Sequence, residues 1–70
     1  MHIALTEELL QEILFARFRY NNSFRIARVR VLNFRYNLQK NILGCIFQLI
    51  KNKKIVYRSI NSVRFFKKNE

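Results

Sequence analysis

The sequence contains no proline, no tryptophan and no aspartate, and only one glycine, one cysteine and one histidine. One cysteine cannot form a disulfide within the chain, and Cys45 lies in the apolar run 42–47, where we expect a buried thiol. A lone thiol fits a reducing intracellular compartment, cytoplasmic or organellar. No apolar run approaches the roughly 18 residues that cross a membrane, so no membrane span is expected.

The scarcity of reactive side chains argues against an enzyme. His2 is the only histidine and lies at the terminus, and the sequence offers no His–Cys pair, carboxylate pair or glycine-rich phosphate loop. A zinc site needs about four ligands of the Cys or His type, and the chain holds two such residues. We therefore expect no catalytic residue, no metal and no cofactor.

Charge is the strongest property of this chain. Fourteen Lys and Arg residues against four acids give a net charge of +10, and three of the acids, Glu7, Glu8 and Glu12, precede every Lys and Arg. A compact body with this imbalance repels itself at low ionic strength, and a polyanion relieves the repulsion. Ordinary surfaces mix both signs, so the charge favours RNA, or DNA, as the partner.

Length and composition predict one folded domain over residues 1–70, because half of the residues are hydrophobic and seven are Phe. Residues 6–16 are predicted to form a helix, since Thr6 suits an N-cap and apolar residues follow at three- and four-residue spacing. Those residues are Leu9, Leu10, Ile13, Leu14 and Ala16. Arg17 falls in the same stripe, so either the helix ends near it or the long Arg17 side chain reaches out of the stripe to solvent.

Beyond a loop at residues 21–23 the pattern favours strands. Arg and Val alternate over residues 28–31, and the alternation slips by one residue at Leu32, which predicts a bulge or bend. Further strands are expected within residues 42–50 and 55–66, the latter divided by its polar stretch. Turns are expected between them, at residues 37–41 and 51–54.

The predicted fold class is therefore α+β. An N-terminal helix is followed by a strongly bent small antiparallel sheet or barrel of roughly three to five strands. An all-helical alternative makes residues 33–50 a single helix. It ranks second, because Val, Ile, Phe and Tyr dominate the strand segments.

Arginines interleaved with apolar residues are the leading candidates for nucleic-acid contacts. Guanidinium groups form bidentate hydrogen bonds with phosphates and stack on bases. Six of them occur without an intervening acid: Arg17, Arg19, Arg25, Arg28, Arg30 and Arg35. Arg28 and Arg30 are expected to share one strand face. For any single arginine, however, a solvated surface position explains the residue equally well.

Residues 55–66, Ile-Val-Tyr-Arg-Ser-Ile-Asn-Ser-Val-Arg-Phe-Phe, resemble the second signature of the Sm-like family, to which bacterial Hfq belongs. Val56-Tyr57-Arg58 resembles the first half of that signature, and residues 62–65 resemble its closing strand. Arg17 and Arg19 resemble the basic rim of Hfq. The chain departs from the family at the turn glycine, which is Phe34 here, and at the pore histidine, which is Ser59.

The resemblance implies one N-terminal helix followed by five bent strands. It also implies a homo-oligomeric ring of six or seven subunits that binds single-stranded RNA at its pore. Tyr57 and Arg58 become pore candidates on that basis, with Arg58 the better supported of the two. A tyrosine ring can stack on an unpaired base, although core or rim positions are commoner for tyrosine.

The sequence thus predicts a small basic RNA-binding protein, with an Sm-like oligomeric RNA chaperone as the specific form that the resemblance implies. One alternative is a structural component of a ribonucleoprotein such as a ribosome. A second alternative is a basic membrane-surface or protein-binding inhibitor module. Exposed aromatic residues at Phe65 and Phe66 would suit an anionic lipid surface.

Overall fold

Five antiparallel strands in one sheet make up most of the fold, and the computed structural model describes residues 5–67. The strands are β1 (Ile13–Tyr20), β2 (Ser23–Tyr36), β3 (Ile42–Leu49), β4 (Ile55–Ser59) and β5 (Val63–Phe66). A 3-10 turn at Glu7–Leu9 precedes β1, and another at Ile60–Ser62 joins β4 to β5. The spatial order is β4-β3-β2-β1-β5, so β4 and β5 are the edges.

The predicted helix over residues 6–16 is wrong, and the α+β class with it, because the described chain is almost entirely β. Glu7–Leu9 makes a single 3-10 turn, and Gln11 follows with a left-handed φ of 67°. Buried side chains then alternate with outward ones, the buried set being Leu14, Ala16 and Phe18. A period of two places Arg17 in solvent, whereas a helix would place it in the apolar stripe.

The all-helical alternative is also wrong, because residues 33–50 hold the last four residues of β2, a turn and β3. Among residues 5–67, no helix has the length and apolar character needed to cross a membrane.

β2 is long enough to pair with a different strand at each of its ends. It pairs with β1 over Ser23–Arg30 and with β3 over Val29–Tyr36. The β2–β3 register shifts between Val31 and Asn33, which leaves Leu32 as the extra residue of a bulge. Bulges bend a strand and increase its twist, so the irregularity predicted at Leu32 is confirmed.

One side of the bent sheet encloses a single apolar core. The buried side chains come from all five strands and from Leu9: Leu9, Leu14, Ala16, Phe18, Val29, Val31, Phe34, Cys45, Phe47, Leu49, Val56, Val63 and Phe65. The Phe47 ring lies 5.2 Å from Phe18 and 5.8 Å from Phe65, both edge to face, as aromatic pairs prefer. Burial raises the pKa of the Cys45 thiol to about 12, so Cys45 packs as a small apolar group.

Arg58 joins two strands that are not neighbours in the sheet. It lies on the core side of β4, since it is opposite Cys45 in the register. Its Nε and Nη2 donate to the Arg19 carbonyl at 3.2 and 3.0 Å, and its Nη1 donates to the Tyr57 carbonyl at 2.7 Å. The guanidinium also lies 5.6 Å from the Phe18 ring. These contacts hold β4 against β1 and cover one end of the core.

The N-terminal segment is tied to β2 in two places. Backbone hydrogen bonds join Gln11 and Glu12 to Val31 at 2.7 and 3.1 Å. The Tyr36 hydroxyl donates to the Glu7 carboxylate at 3.1 Å. Partial desolvation and this carboxylate both raise the pKa of Tyr36, so the hydroxyl remains a donor at neutral pH.

The β1–β2 hairpin closes through a two-residue turn in which Asn21 and Asn22 have φ values of 52° and 67°. Two positive φ values are the mark of the type I′ turns that match strand twist. Asn22→Gly should therefore stabilise the protein, and Asn22→Val should destabilise it by about 1–2 kcal/mol. Urea unfolding followed by circular dichroism measures both, and equal stability of the two variants would contradict this turn geometry.

Candidate nucleic-acid interface

The outer side of the sheet, away from the core, carries arginines on three adjacent strands. Arg17 of β1 lies opposite Ile26 of β2 and opposite Arg64 of β5. Residues directly opposite in an antiparallel pair share a face. Arg19 faces Phe24 and Arg28 faces Phe15 in the same way. We call this surface, formed by Arg17, Arg19, Arg28, Arg64 and Phe24, the arginine face.

Phe24 is the aromatic centre of the arginine face. It is 60% exposed, and the Arg17 and Arg19 guanidinium carbons lie 4.2 and 5.5 Å from its ring centroid. Such contacts are worth about 0.5–1 kcal/mol at exposed sites. Two positive groups are therefore held together by an aromatic ring, and no acidic side chain takes part.

In the part of the chain that the structure describes, the guanidinium groups of the arginine face donate no hydrogen bond to the protein. Within residues 5–67, the arginine side chains that donate hydrogen bonds are Arg30 and Arg58. Arg17, Arg19, Arg28 and Arg64 are all exposed. A guanidinium without a protein acceptor can bind an anion through two parallel N–H groups.

A shallow depression of about 320 Å³ lies at one end of the arginine face. Its lining consists of Arg17, Arg19, Phe24, Asn61, Ser62 and Arg64, so the 3-10 turn after β4 contributes two polar side chains. Small-molecule sites begin at about 300 Å³. The depression thus has the size and the groups to hold one phosphate and one unpaired base.

The six arginines predicted between residues 17 and 35 do not form one surface. Arg28 and Arg30 do share the outer side of β2, but Arg30 is half-buried and its Nη1 lies 3.5 Å from the Gln11 carbonyl oxygen. Arg35 lies near the end of β2 that pairs with β3, and its guanidinium carbon lies 6.0 Å from the centroid of the Tyr57 ring of β4.

Arg25 belongs to a second basic cluster at the end of the β1–β2 hairpin. Its guanidinium lies 5.0 Å from the Tyr20 ring, and the Lys54 ammonium lies 5.2 Å from the same ring. Lys54 donates to the Tyr20 hydroxyl oxygen at 2.6 Å. That hydrogen bond and the positive charge of Lys54 lower the pKa of Tyr20. This cluster is built on the core-side positions of the hairpin, beyond the end of the core.

Tyr57 and Arg58 both make contacts within the fold. Tyr57 lies against Gly44, where an added Cβ would overlap the ring and come within 2.8 Å of the Arg58 carbonyl oxygen. The single glycine therefore allows the tyrosine to occupy this place. Tyr57 remains 46% exposed, and three nitrogens of Arg58 donate to carbonyls. Their predicted contacts with RNA stay predictions.

Sequence reasoning missed Arg64 and Phe24 as interface residues. Arg64 lies beside Arg17 only because β5 pairs with β1. The order of strands in a sheet cannot be predicted from short stretches of sequence. Phe24 lies in a run that predicts a strand, where a phenylalanine is ordinarily assigned to the core. The one feature of the sequence that could have indicated them is that no acidic residue lies close to either in the chain.

Among residues 5–67, no three His, Cys, Asp or Glu side chains lie close enough together to hold a metal ion. His2 lies outside the described residues. Comparison of the chain with protein-family models, curated proteins and solved structures found no match.

Removing two arginines from the depression should weaken nucleic-acid binding without unfolding the protein. Arg17→Ala with Arg64→Ala should reduce the affinity for a single-stranded RNA of about twelve nucleotides by at least about tenfold, because two charge-assisted contacts are lost. The melting temperature should not fall, and should rise slightly, since both side chains are exposed and their like charges face each other. Fluorescence anisotropy and thermal unfolding measure the two effects.

The matched control is Arg35→Ala with Lys51→Ala, which removes the same charge from exposed positions outside the arginine face. This pair should lose less than about threefold in affinity, through general electrostatics alone. Equal losses from the two pairs would show diffuse binding and contradict a defined interface.

Proposed function

We propose that this protein binds single-stranded RNA through the arginine face. Phosphates bind to Arg17, Arg19 and Arg64, and an unpaired base stacks on Phe24 and its neighbouring guanidiniums. The observation that carries the proposal is the convergence of three arginines around one exposed phenylalanine. The fold does not need these side chains for its core.

The distribution of charge over the fold supports the proposal. Glu7, Glu8 and Glu12 all precede β1, and no strand contributes an acidic side chain. Basic groups on the outer side of the sheet are therefore not neutralised by neighbouring strands. An unneutralised surface attracts a polyanion over a Debye length of about 8 Å at physiological salt.

The shape of the interface favours single strands over duplexes. The depression is large enough for one nucleotide, and its exposed ring offers a stacking surface that paired bases in a duplex cannot reach. Unpaired bases, by contrast, can leave their own stack and lie on an aromatic side chain.

Salt dependence tests whether phosphates supply the affinity. If about five phosphates are neutralised, the logarithm of the affinity for single-stranded RNA should fall with the logarithm of salt at a slope near −3.5. Titrations at several salt concentrations with single-stranded RNA, single-stranded DNA and a duplex give the slopes and the preference. A flat salt dependence, or no binding at low salt, would contradict the proposal.

The Sm-like resemblance extends this proposal to a ring assembled through sheet edges. In its favour, β4 and β5 lie at the two edges of a five-stranded sheet, and the resemblance implies five strands. Against it, the helix that the resemblance implies is replaced by a 3-10 turn and a strand within residues 5–67. Arg58, the pore candidate, uses three nitrogens on carbonyls of its own chain.

Light scattering on the wild-type protein tests the ring directly. An assembly of several copies should scatter as a particle well above the 8.6 kDa of one chain, because edge strands of a ring pair with their neighbours. A clean monomer at micromolar concentration would exclude the ring. Binding of RNA to the arginine face of a monomer would be unaffected by that result.

A further inference from the structure

The beginning of β2 has a free backbone edge. β3 pairs with β2 from Val29 onward, whereas β2 begins at Ser23. Ile50 donates its backbone N–H to the Arg28 carbonyl at 3.0 Å on the β3 side. Backbone groups of alternate residues point to the same side of a strand. The N–H and C=O groups of Phe24 and Ile26 therefore point to the same side as the Arg28 carbonyl, away from β1. Within residues 5–67, no strand covers them.

A groove of about 580 Å³ follows this free edge. One wall is formed by residues 25–28 of β2, and the other by residues 49–52, where β3 ends and turns toward β4. The apolar part of the lining comes from Ile26, Ala27, Leu49 and Ile50. The basic part comes from Arg25, Arg28 and Lys51.

We propose that this groove binds an acidic, extended peptide segment of a partner protein, which adds to β2 as a strand. Its backbone pairs with the N–H and C=O groups of Phe24 and Ile26, in line with β3. Its apolar side chains pack on the groove lining, and its carboxylates lie beside Arg25, Arg28 and Lys51. Strand addition obtains affinity from main-chain bonds and specificity from alternate side chains.

The charge of the groove decides between occupants. A second copy of this edge would bring the same arginines against Arg25 and Arg28, and like charges across a strand pair are destabilising. RNA would satisfy the charge, but a phosphate backbone has no alternating N–H and C=O groups to pair with the strand edge. An acidic peptide satisfies both the charge and the edge.

Amide hydrogen exchange of the full chain tests the proposal residue by residue. The probe is a peptide of about eight residues in which pairs of glutamates alternate with pairs of valines, so that both faces of the added strand carry carboxylates and apolar side chains. At peptide concentrations ten times the dissociation constant, exchange at Phe24 and Ile26 should slow by about tenfold. Arg25 and Ala27 should change little, because their amides already face β1. Binding driven by charge alone does not produce this alternation.

Two chemical controls separate strand addition from simple attraction. The same peptide with N-methyl groups on alternate amides keeps its charge but cannot form the ladder, so it should bind at least about tenfold more weakly. A peptide with lysine in place of glutamate should not bind. In the protein, Ile26→Pro removes the edge donor and should abolish binding. Ile26→Ala keeps the donor but loses part of the apolar lining, so it should weaken binding much less than Ile26→Pro does.

Several results would overturn the proposal. These are equal binding of the N-methylated peptide, no protection of Phe24 and Ile26, or protection confined to β4 or β5. If exchange at the same two amides slows as the protein concentration rises, with no peptide present, the edge pairs with a second copy of this chain. Protection produced by an RNA oligonucleotide would assign it to nucleic acid. The peptide measurements on wild-type protein decide the matter even if Ile26→Pro fails to fold.

Discussion

The bend of β2 at Leu32 is the constraint on which the rest of the structure depends. No helix packs on the described sheet, so the sheet must cover its own apolar side, which a flat sheet would leave in water. β2 pairs with β1 up to Arg30 and with β3 from Val29 onward, on both sides of the bend, so side chains from both halves of the sheet meet. The contact of Phe47 with Phe18 and Phe65 is where they meet, and Arg58 then ties β4 to β1.

The bent sheet determines which strand positions can carry a charged side chain. The core side is filled by aliphatic and aromatic residues, so strand arginines are placed on the outer side or at the strand ends. The two proposed surfaces both arise from the β1–β2 hairpin, which extends beyond the end of β3. Its outer side carries the arginine face, and its free backbone edge forms one wall of the groove.

Local pattern was enough for some features of this fold and insufficient for others. The bulge at Leu32, the turns around residues 37–41 and 51–54, and the buried Cys45 all follow from short stretches of sequence. The helix over residues 6–16 was predicted wrongly, because its apolar residues fit a period of 3.6 as well as a strand. The left-handed φ of 67° at Gln11 ends the 3-10 turn, and glutamine gives no signal for it. The partnership of Arg17 with Arg64 required the strand order, which depends on the bend.

Two kinds of arginine can be distinguished by what their donors contact. Arg58 donates to the carbonyls of Arg19 and Tyr57 and so holds β4 against β1 across the core. Arg17 and Arg19 pack on an exposed ring, and their charges repel each other and Arg64 in the free protein. That repulsion lowers the stability of a domain whose core supplies only a few kcal/mol. Under the proposed function, a polyanion bound at the arginine face would remove this repulsion and bind the folded state in preference to the unfolded one, and it would therefore stabilise the fold.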